Sequence, residues 1–308
     1  MSWVESGGHR AQALVDALYH GGESPAAWAH IVGVTGTAGA GKSTLVAALA
    51  KEARLRGISV GILAVDPSSP FTGGAILGDR VRMGELSGDP GVYIRSMAAR
   101  GELGGLCQAA SGAVDLLRAA GKQLVLVETV GVGQDEVDIM RVAHTTVLVS
   151  VPGLGDDVQM MKAGLFEIAD IHVVNKADRE GAGETISQIQ AMLGLNAKHL
   201  DTNLDTNRDV SWQPPVLPAV ALRGEGVAAV LDAVSSHASH LRETGELGIR
   251  ERRMAEARVI KLAQAMIADS LRRPDADATS NLDLDRVARR ELSPYVCAKN
   301  LLDRVRPS

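Results

Sequence analysis

The segment that most constrains the fold of this chain is a glycine-rich stretch, GTAGAGKS, at residues 36–43. It matches the pattern GxxxxGK[ST] at every fixed position, follows a short apolar run and precedes a helical pattern. Glycines let backbone N–H groups converge on phosphate oxygens, and the start of a helix adds positive potential. The sequence therefore predicts a phosphate-binding loop made of Gly36, Thr37, Ala38, Gly39, Ala40, Gly41, Lys42, Ser43 and Thr44.

Within this loop, two side chains have the chemistry for a nucleoside triphosphate and its metal. We expect the Lys42 ammonium at the β- and γ-phosphates and the Ser43 hydroxyl on Mg²⁺.

The chain around the loop alternates between apolar runs and stretches of helical length and spacing. The runs are rich in β-branched residues and lack polar alternation, as is typical of strands buried on both faces of a parallel sheet. They are IVGVT (31–35), VGILAV (60–65), LVLVET (124–129), TVLVSV (146–151), IHVVN (171–175) and VLPAV (216–220), with VYIRS (92–96) as an additional edge strand. This alternation predicts an α/β fold with a doubly wound, mostly parallel sheet.

The two ends of the chain differ from this middle. Short helices are predicted at 9–20 and 26–30, and a highly charged helical stretch at about 247–272 is followed by a helix that opens at Ser293-Pro294. We therefore divide the chain into an N-terminal helical segment (1–30), a nucleotide-binding domain (31–245) and a C-terminal helical arm (246–308). The arm either packs on its own domain or forms a dimer contact.

Composition excludes several classes of protein. The formal net charge is −5, so no global basic field attracts nucleic acid or an anionic membrane. No apolar run approaches the ~18 residues of a membrane span, and the N-terminus lacks the plan of a signal peptide. Cys107 and Cys297 form no paired metal motif, which fits a reducing compartment. We expect a cytoplasmic protein.

Carboxylates near the ends of predicted strands are the candidate partners of Ser43 in a Mg²⁺ site. Asp66 and Glu128 end two of the apolar runs, and Asp79 lies in the loop between them. A single aspartate is more commonly a helix cap or a solvated loop residue, but ligands of α/β proteins bind at the carboxyl ends of strands.

The tetrapeptide Asn175-Lys176-Ala177-Asp178 directly follows the run IHVVN and matches NKxD, the guanine-reading motif. A carboxylate at Asp178 can accept from N1–H and the 2-amino group of guanine, a pattern that adenine lacks. A further loop, at the end of the last apolar run and including Ala219, Val220 and Ala221, can offer backbone N–H groups to guanine O6. The sequence thus favours GTP over ATP.

With these motifs placed, the chain resembles the MeaB/ArgK family of P-loop GTPases, which includes the methylmalonic aciduria type A protein. The resemblance covers about 31–245 and rests on long motifs: GVTGTAGAGKST, LAVDPSSPFTGGAILGDRVRM, LVETVGVGQDE and VPGLGDDVQMMKAGLFEIADIHVVNKAD. It implies a GTP-dependent chaperone of an adenosylcobalamin-dependent acyl-CoA mutase, homodimeric through its C-terminal helices. GTP hydrolysis is expected to be slow until the mutase stimulates it.

The resemblance also implies roles for individual residues. Asp66, Asp79 and Glu128 would surround the metal beside Ser43, and Lys42, Glu128 and Gln134 would act in hydrolysis. Gln134 lies in a loop expected to sense the γ-phosphate, although it equally suits the start of a helix. The segment 152–162 would be a switch in which Asp156 and Lys162 change partners, whereas its local pattern is also that of an ordinary loop with an aspartate cap.

Three other functions remain open on sequence grounds. One is a kinase linked to arginine and ornithine transport, an older label of this family. Another is a GTPase that inserts nickel or zinc, although His237 and His240 are the closest histidine pair and look like a solvated helix face. The third is a scaffold without turnover.

Overall fold

A computed structural model describes residues 1–2, 9–20, 29–67, 84–86, 88–99, 105–129, 139–153, 165–200, 212–272, 283 and 285–305. The described strands are β1 His30–Gly36, β2 Val60–Pro67, β3 Val92–Ala99, β4 Leu124–Glu128, β5 Thr145–Ser150, β6 Ile171–Asn175 and β7 Val216–Ala219. The described helices are α1 His9–His20, α2 Lys42–Leu55, α3 Gly105–Ala119, α4 Leu165–Ile168, α5 Ala182–Leu200, α6 Val227–Glu243, α7 Glu246–Arg272 and α8 Pro294–Val305.

The seven strands form one sheet in the order β3-β2-β4-β1-β5-β6-β7, and every neighbouring pair is parallel. This arrangement confirms the predicted α/β class with a doubly wound parallel sheet. β1 lies between β4 and β5, and the connections between strands run to opposite sides of it. The phosphate loop that follows β1 therefore opens at the crevice where α/β proteins bind ligands.

Both faces of the sheet are covered by apolar layers, which is why the strands carry continuous rather than alternating hydrophobic residues. On one face, α2 and α6 pack Leu45, Leu49 and Val230 against the even-numbered positions of β1 and the odd-numbered positions of β5. On the other face, α3 places Ala113 and Leu117 against Ile31 and its neighbours. A smaller cluster under α4 and α5 covers the far side of β5 and β6.

The first strand begins one residue earlier than the sequence indicates. The prediction of a helix at 26–30 is wrong at residues 29 and 30, which are the part of that range that the structure describes. His30 already belongs to β1, and its amide donates to the Gln123 carbonyl at 2.9 Å. A buried histidine is not a usual strand signal, but here Thr145 Oγ1 lies 2.6 Å from its Nε2. Residues 26–28 lie outside the described part of the chain.

A buried polar network occupies the amino edge of the sheet, opposite to the phosphate loop. Thr145 Oγ1 contacts both His30 Nε2 and His237 Nδ1, the latter at 2.7 Å. Asp170 forms a bidentate ion pair with Arg250, whose Nη1 and Nη2 donate to the two carboxylate oxygens at 2.9 and 2.7 Å. His237 is fully buried, so the expectation of a solvated helix face for His237 is wrong.

The described chain separates into two compact units, Met1–Ala255 and Glu256–Ser308. The division at 30 and 245 inferred from sequence stays a prediction. In the second unit, α8 begins after Ser293 as expected, and the Ser293 hydroxyl accepts from the Tyr295 amide at 3.3 Å. Among the described helices, none combines the length and the apolar character needed to cross a lipid bilayer.

Candidate nucleotide-binding site

The glycines of the phosphate loop are required by its backbone conformation and by close neighbours. Gly36 has φ +139°, and a Cβ atom there would stand 2.1 Å from the Val149 carbonyl oxygen. Gly41 has φ +85°, and a Cβ atom there would stand 2.5 Å from Asn175 Nδ2. The loop is therefore shaped by contact with β5 and with the segment after β6, and only glycine fits at these two positions.

The side chain of Lys42 is held inside the loop. Its Nζ donates to the carbonyls of Gly36 at 2.7 Å and Thr37 at 2.9 Å, and the residue is only 5% exposed. Ala38 and Gly39 at the tip of the loop are exposed. The ammonium is thus held against the loop backbone, where it can pair with phosphate oxygens that the loop binds.

Ser43 and Glu128 meet at the carboxyl edge of the sheet. The Ser43 hydroxyl donates to Glu128 Oε1 at 2.5 Å, and Glu128 is the last residue of β4. Asp66 lies near the end of the neighbouring strand β2, two residues beyond Ala64, which pairs with Glu128. Three oxygen-bearing residues of the predicted metal site therefore belong to adjoining elements at one edge.

A pair of threonines that sequence reasoning missed anchors the segment after Glu128. The Thr129 hydroxyl donates to Thr35 Oγ1 at 3.1 Å, and the Thr129 amide donates to the Val34 carbonyl at 3.1 Å. Both threonines are buried. Thr129, the last described residue before 139, is therefore tied to β1.

Asn175 joins three segments of the site. Its Nδ2 donates to the Ala40 carbonyl at 2.9 Å, and its Oδ1 accepts from the Ala221 amide at 3.1 Å. The residue is 3% exposed, so water does not compete for these groups. The asparagine thereby ties the phosphate loop to the loop after β7.

Lys176 reaches the phosphate loop as well. Its Nζ donates to the Gly39 carbonyl at 2.8 Å, and its backbone has the uncommon φ of +56°. A non-glycine residue in this left-handed region is strained, and such strain is concentrated at functional positions. The turn is fixed by the Ala177 amide, which donates to the Ala219 carbonyl at 3.0 Å.

Asp178 is exposed at the rim of the site and is paired with an arginine that the sequence motifs did not single out. Arg223 Nη1 donates to Asp178 Oδ2 at 3.0 Å. The same guanidinium donates to both carboxylate oxygens of Glu225, at 2.6 and 3.2 Å. The hydrogen bonds from Arg223 lower the pKa of Glu225. No spacing rule places residue 223 beside residue 178, because the contact depends on how two loops pack.

The loop after β7 is a closed turn. The Val220 amide donates to the Glu225 carbonyl at 2.9 Å, and the Arg223 amide donates to the Val220 carbonyl at 2.9 Å. Gly226 has φ +76°, and a Cβ atom there would stand 2.3 Å from the Pro218 carbonyl oxygen. The tight geometry of this turn sets the positions of Ala219, Val220 and Ala221.

The structure therefore brings together most of the predicted residues but not all of them. Hydrogen bonds join Lys42, Asn175 and Lys176 to the segment Gly36–Thr44, Ser43 to Glu128, and Asn175 to Ala221 in the segment 219–221, and Asp178 lies three residues after Asn175. Four predicted residues lie outside the described part of the chain: Asp79, Gln134, Asp156 and Lys162. Within the described residues, no group of three or more His, Cys, Asp or Glu side chains is arranged to hold a metal ion.

Comparison with known proteins places this geometry in context. The family described as "Methylmalonyl Co-A mutase-associated GTPase MeaB" matches residues 1–276. A protein of Pyrococcus abyssi that bears a GTPase name is 46% identical over 90% of this chain and 83% of its own length. The mitochondrial methylmalonic aciduria type A homolog of Mus musculus is 36% identical over 71% of this chain and 51% of its own length.

Among solved structures, a crystal structure described as an LAO/AO transport system kinase is similar, with a TM-score of 0.65 and 26% identity. The match covers 96% of this chain and 86% of that one.

Proposed function

The chain belongs to the MeaB family of P-loop GTPases and is a GTPase, and we propose that its nucleotide state gates an adenosylcobalamin-dependent acyl-CoA mutase. In this role the protein controls cofactor loading and protects the mutase from inactivation. Methylmalonyl-CoA mutase or a close relative is the expected partner, because the matched family is described as associated with that enzyme. The cytoplasm is the expected location.

The observation that carries the nucleotide assignment is the bonding between the two motifs. Asn175 and Lys176 donate to the carbonyls of Ala40 and Gly39, at 2.9 and 2.8 Å. The NKxD segment and the phosphate loop thus form one unit, in which Asp178 is set to accept from a guanine whose phosphates lie over Lys42. A site built on those bonds discriminates against adenine by leaving a carboxylate unpaired.

The residues at the carboxyl edge suit Mg²⁺. The Ser43 hydroxyl and the Glu128 carboxylate are 2.5 Å apart, and both are hard oxygen donors of the kind that Mg²⁺ prefers. We assign Ser43 and Glu128 as the core of the metal site, with Asp66 and Asp79 as further carboxylates. When bound, the ion would neutralise charge on the phosphates. Lys42 would hold the same oxygens from the loop side.

The partner-facing part of the proposal concerns three residues outside the described chain. Gln134 would help to orient the attacking water, and Asp156 and Lys162 would pass the nucleotide state to the mutase. A switch of this kind needs different contacts in the two states. Slow intrinsic turnover follows if one catalytic element is completed only by the partner.

We also propose a homodimer formed through the C-terminal arm. The supporting observation is that α7 exposes aliphatic side chains, including Val259 at 64% and Ile260 at 51%. Sedimentation of the full chain and of a Val259→Lys variant would measure the oligomeric state. A monomeric wild-type protein would contradict this part.

Base choice is tested by calorimetric titration with GTP, GDP and ATP. We expect GTP to bind far more tightly than ATP. Asp178→Asn should shift the preference toward xanthosine nucleotides, which present a carbonyl where guanine carries its amino group. Lys42→Ala should lose binding of every nucleotide. Equal competition by ATP and GTP in the wild-type protein would contradict the assignment.

Gating is tested by measuring phosphate release with and without a purified mutase. We expect stimulation by the mutase and GTP-dependent cobalamin loading. Asp156→Ala and Lys162→Ala should keep GTP affinity but lose the stimulation. Transfer of phosphate to arginine or ornithine instead of water would favour the kinase alternative.

A further inference from the structure

Arg223 occupies a place in the site that no sequence motif assigns. It lies at the tip of the turn after β7, and its side chain crosses to the segment after β6, where Nη1 donates to Asp178 Oδ2 at 3.0 Å. The two segments are also joined through their backbones, because Ala177 donates to the Ala219 carbonyl at 3.0 Å. The backbone segments that carry Arg223 and Asp178 are therefore held in fixed positions relative to each other.

The guanidinium is itself held in one orientation. Its Nε and Nη2 donate to the two oxygens of Glu225, at 2.6 and 3.2 Å, which is the two-pronged geometry that a planar guanidinium favours. Glu225 is in turn placed by the pairing of its carbonyl with the Val220 amide at 2.9 Å. The turn thus directs the third guanidinium nitrogen, Nη1, at Asp178.

This contact leaves Asp178 able to accept further bonds. A carboxylate offers about four lone-pair sites, and one guanidinium N–H takes one of them. The side chains of Asp178 and Arg223 are 40% and 50% exposed, so the Coulombic part of the pair is screened by water. Its main physical effect is to restrict the rotation of the carboxylate.

We propose that Arg223, clamped by Glu225, is a positioning residue that orients Asp178 toward the Watson–Crick edge of a guanine nucleotide. An oriented carboxylate meets N1–H and the 2-amino group together, whereas a freely rotating one must be ordered when the base binds. Ordering a side chain weakens binding by about 2–10-fold. The inference rests on the proposed guanine-binding function.

The decisive experiment compares GTP with inosine triphosphate, which lacks the 2-amino group. In Arg223→Ala we expect GTP and GDP to bind about 3–10-fold more weakly. The ratio of inosine to guanosine dissociation constants should fall by about 3-fold. The turnover number at saturating GTP should not change, because Arg223 lies at the base end of the site. A structural role would lower the melting temperature or weaken all nucleotides equally.

Two further variants separate orientation from charge. Arg223→Lys keeps the charge but not the planar fork, so it should restore little of the guanosine preference. Arg179→Ala removes another exposed arginine beside Asp178 and serves as the control with unchanged binding. In a double-mutant cycle, Arg223→Ala and Glu225→Ala should be non-additive if they act through one clamp.

The outcomes distinguish this inference from the proposed function. If the wild-type protein does not prefer GTP over ATP, the proposed base recognition fails first. If the preference is present but Arg223→Ala leaves the inosine-to-guanosine ratio unchanged, only the positioning role is overturned. Tighter GTP binding by Arg223→Ala would also overturn it, since Arg223 would then compete with the base.

Discussion

Asn175 Nδ2 donates to the main-chain carbonyl of Ala40 over 2.9 Å, and this bond fixes the distance between the segment after β6 and the phosphate loop. The same side chain accepts from the Ala221 amide at 3.1 Å. A single buried amide thus sets the relative positions of three loops. In the proposed binding mode a nucleotide contacts all three loops, so we expect its binding to depend on their spacing.

Asn175→Ala should therefore lower both stability and nucleotide affinity. The substitution leaves a buried carbonyl and a buried amide without their partner, at about 1–3 kcal/mol each. We expect a loss of a few kcal/mol in the free energy of unfolding, measured by urea titration, and a loss of GDP binding. Asn300→Ala, in the second compact unit, is the control and should leave GDP affinity unchanged. Unchanged GDP affinity in Asn175→Ala would contradict this interpretation.

Two glycines of the phosphate loop separate backbone strain from a steric clash. At Gly39, with φ +78°, an added Cβ atom would meet no atom of the described residues within 4 Å. At Gly41, with φ +85°, the same atom would stand 2.5 Å from Asn175 Nδ2. Both alanine substitutions should lose about 1–2 kcal/mol through left-handed strain. Only Gly41→Ala should also displace Asn175 and weaken nucleotide binding by more than about 10-fold, as measured by GDP titration. Equal losses of affinity in the two variants would show that strain alone decides.

Glu128→Gln tests the charge at the proposed metal site. The glutamine oxygen still accepts from the Ser43 hydroxyl, so the local fold should persist while the negative charge is lost. We expect GTP turnover to fall by about 10²-fold and the Mg²⁺ concentration needed for half-maximal turnover to rise. Glu52→Gln, on the far end of α2, should behave as wild type. A Mg²⁺ titration that coincides with wild type would remove Glu128 from the metal site.

The buried histidines predict loss of stability in mild acid. Burial lowers the pKa of His172 and His237 to about 4, of His144 to about 3 and of His30 to about 2. In the unfolded chain, histidine takes up its proton near pH 6.5. The contribution of each neutral, buried histidine to the free energy of unfolding is therefore complete above that pH and is lost as the pH falls toward the pKa of the folded state. Each such histidine contributes a slope of up to about 1.4 kcal/mol per pH unit. Urea titrations between pH 7.5 and 5 measure it.

His172→Leu isolates one of these contributions. His172 is fully buried, stacks on Phe166 with ring centroids 5.4 Å apart, and finds no hydrogen-bond partner for either ring nitrogen within the described residues. The variant should be at least as stable as wild type at pH 7.5 and clearly more stable at pH 5. His9→Gln, at an exposed position, should follow the wild-type pH dependence. Parallel curves for wild type and His172→Leu would contradict the prediction.

Much of this protein follows from local sequence pattern. Strands buried on both faces need continuous β-branched runs, and a phosphate loop needs glycines where its backbone turns sharply. Each of these elements can therefore be predicted from its own segment of sequence. The parallel sheet, the glycine-rich turn between β1 and α2 and the strand-end positions of Glu128 and Asn175 were predictable for that reason. The edge position of β3 also agrees with its weaker apolar pattern.

Contacts between distant segments were decided only by the tertiary structure. Arg223 meets Asp178, and Asn175 meets Ala40, because separate loops pack together at one edge of the sheet. His30 joins a strand and His237 is buried because Thr145 supplies a polar partner inside the domain. A residue's own pattern records its preference for a helix, strand or turn, but a hydrogen bond across 115 or 135 positions depends on three-dimensional packing.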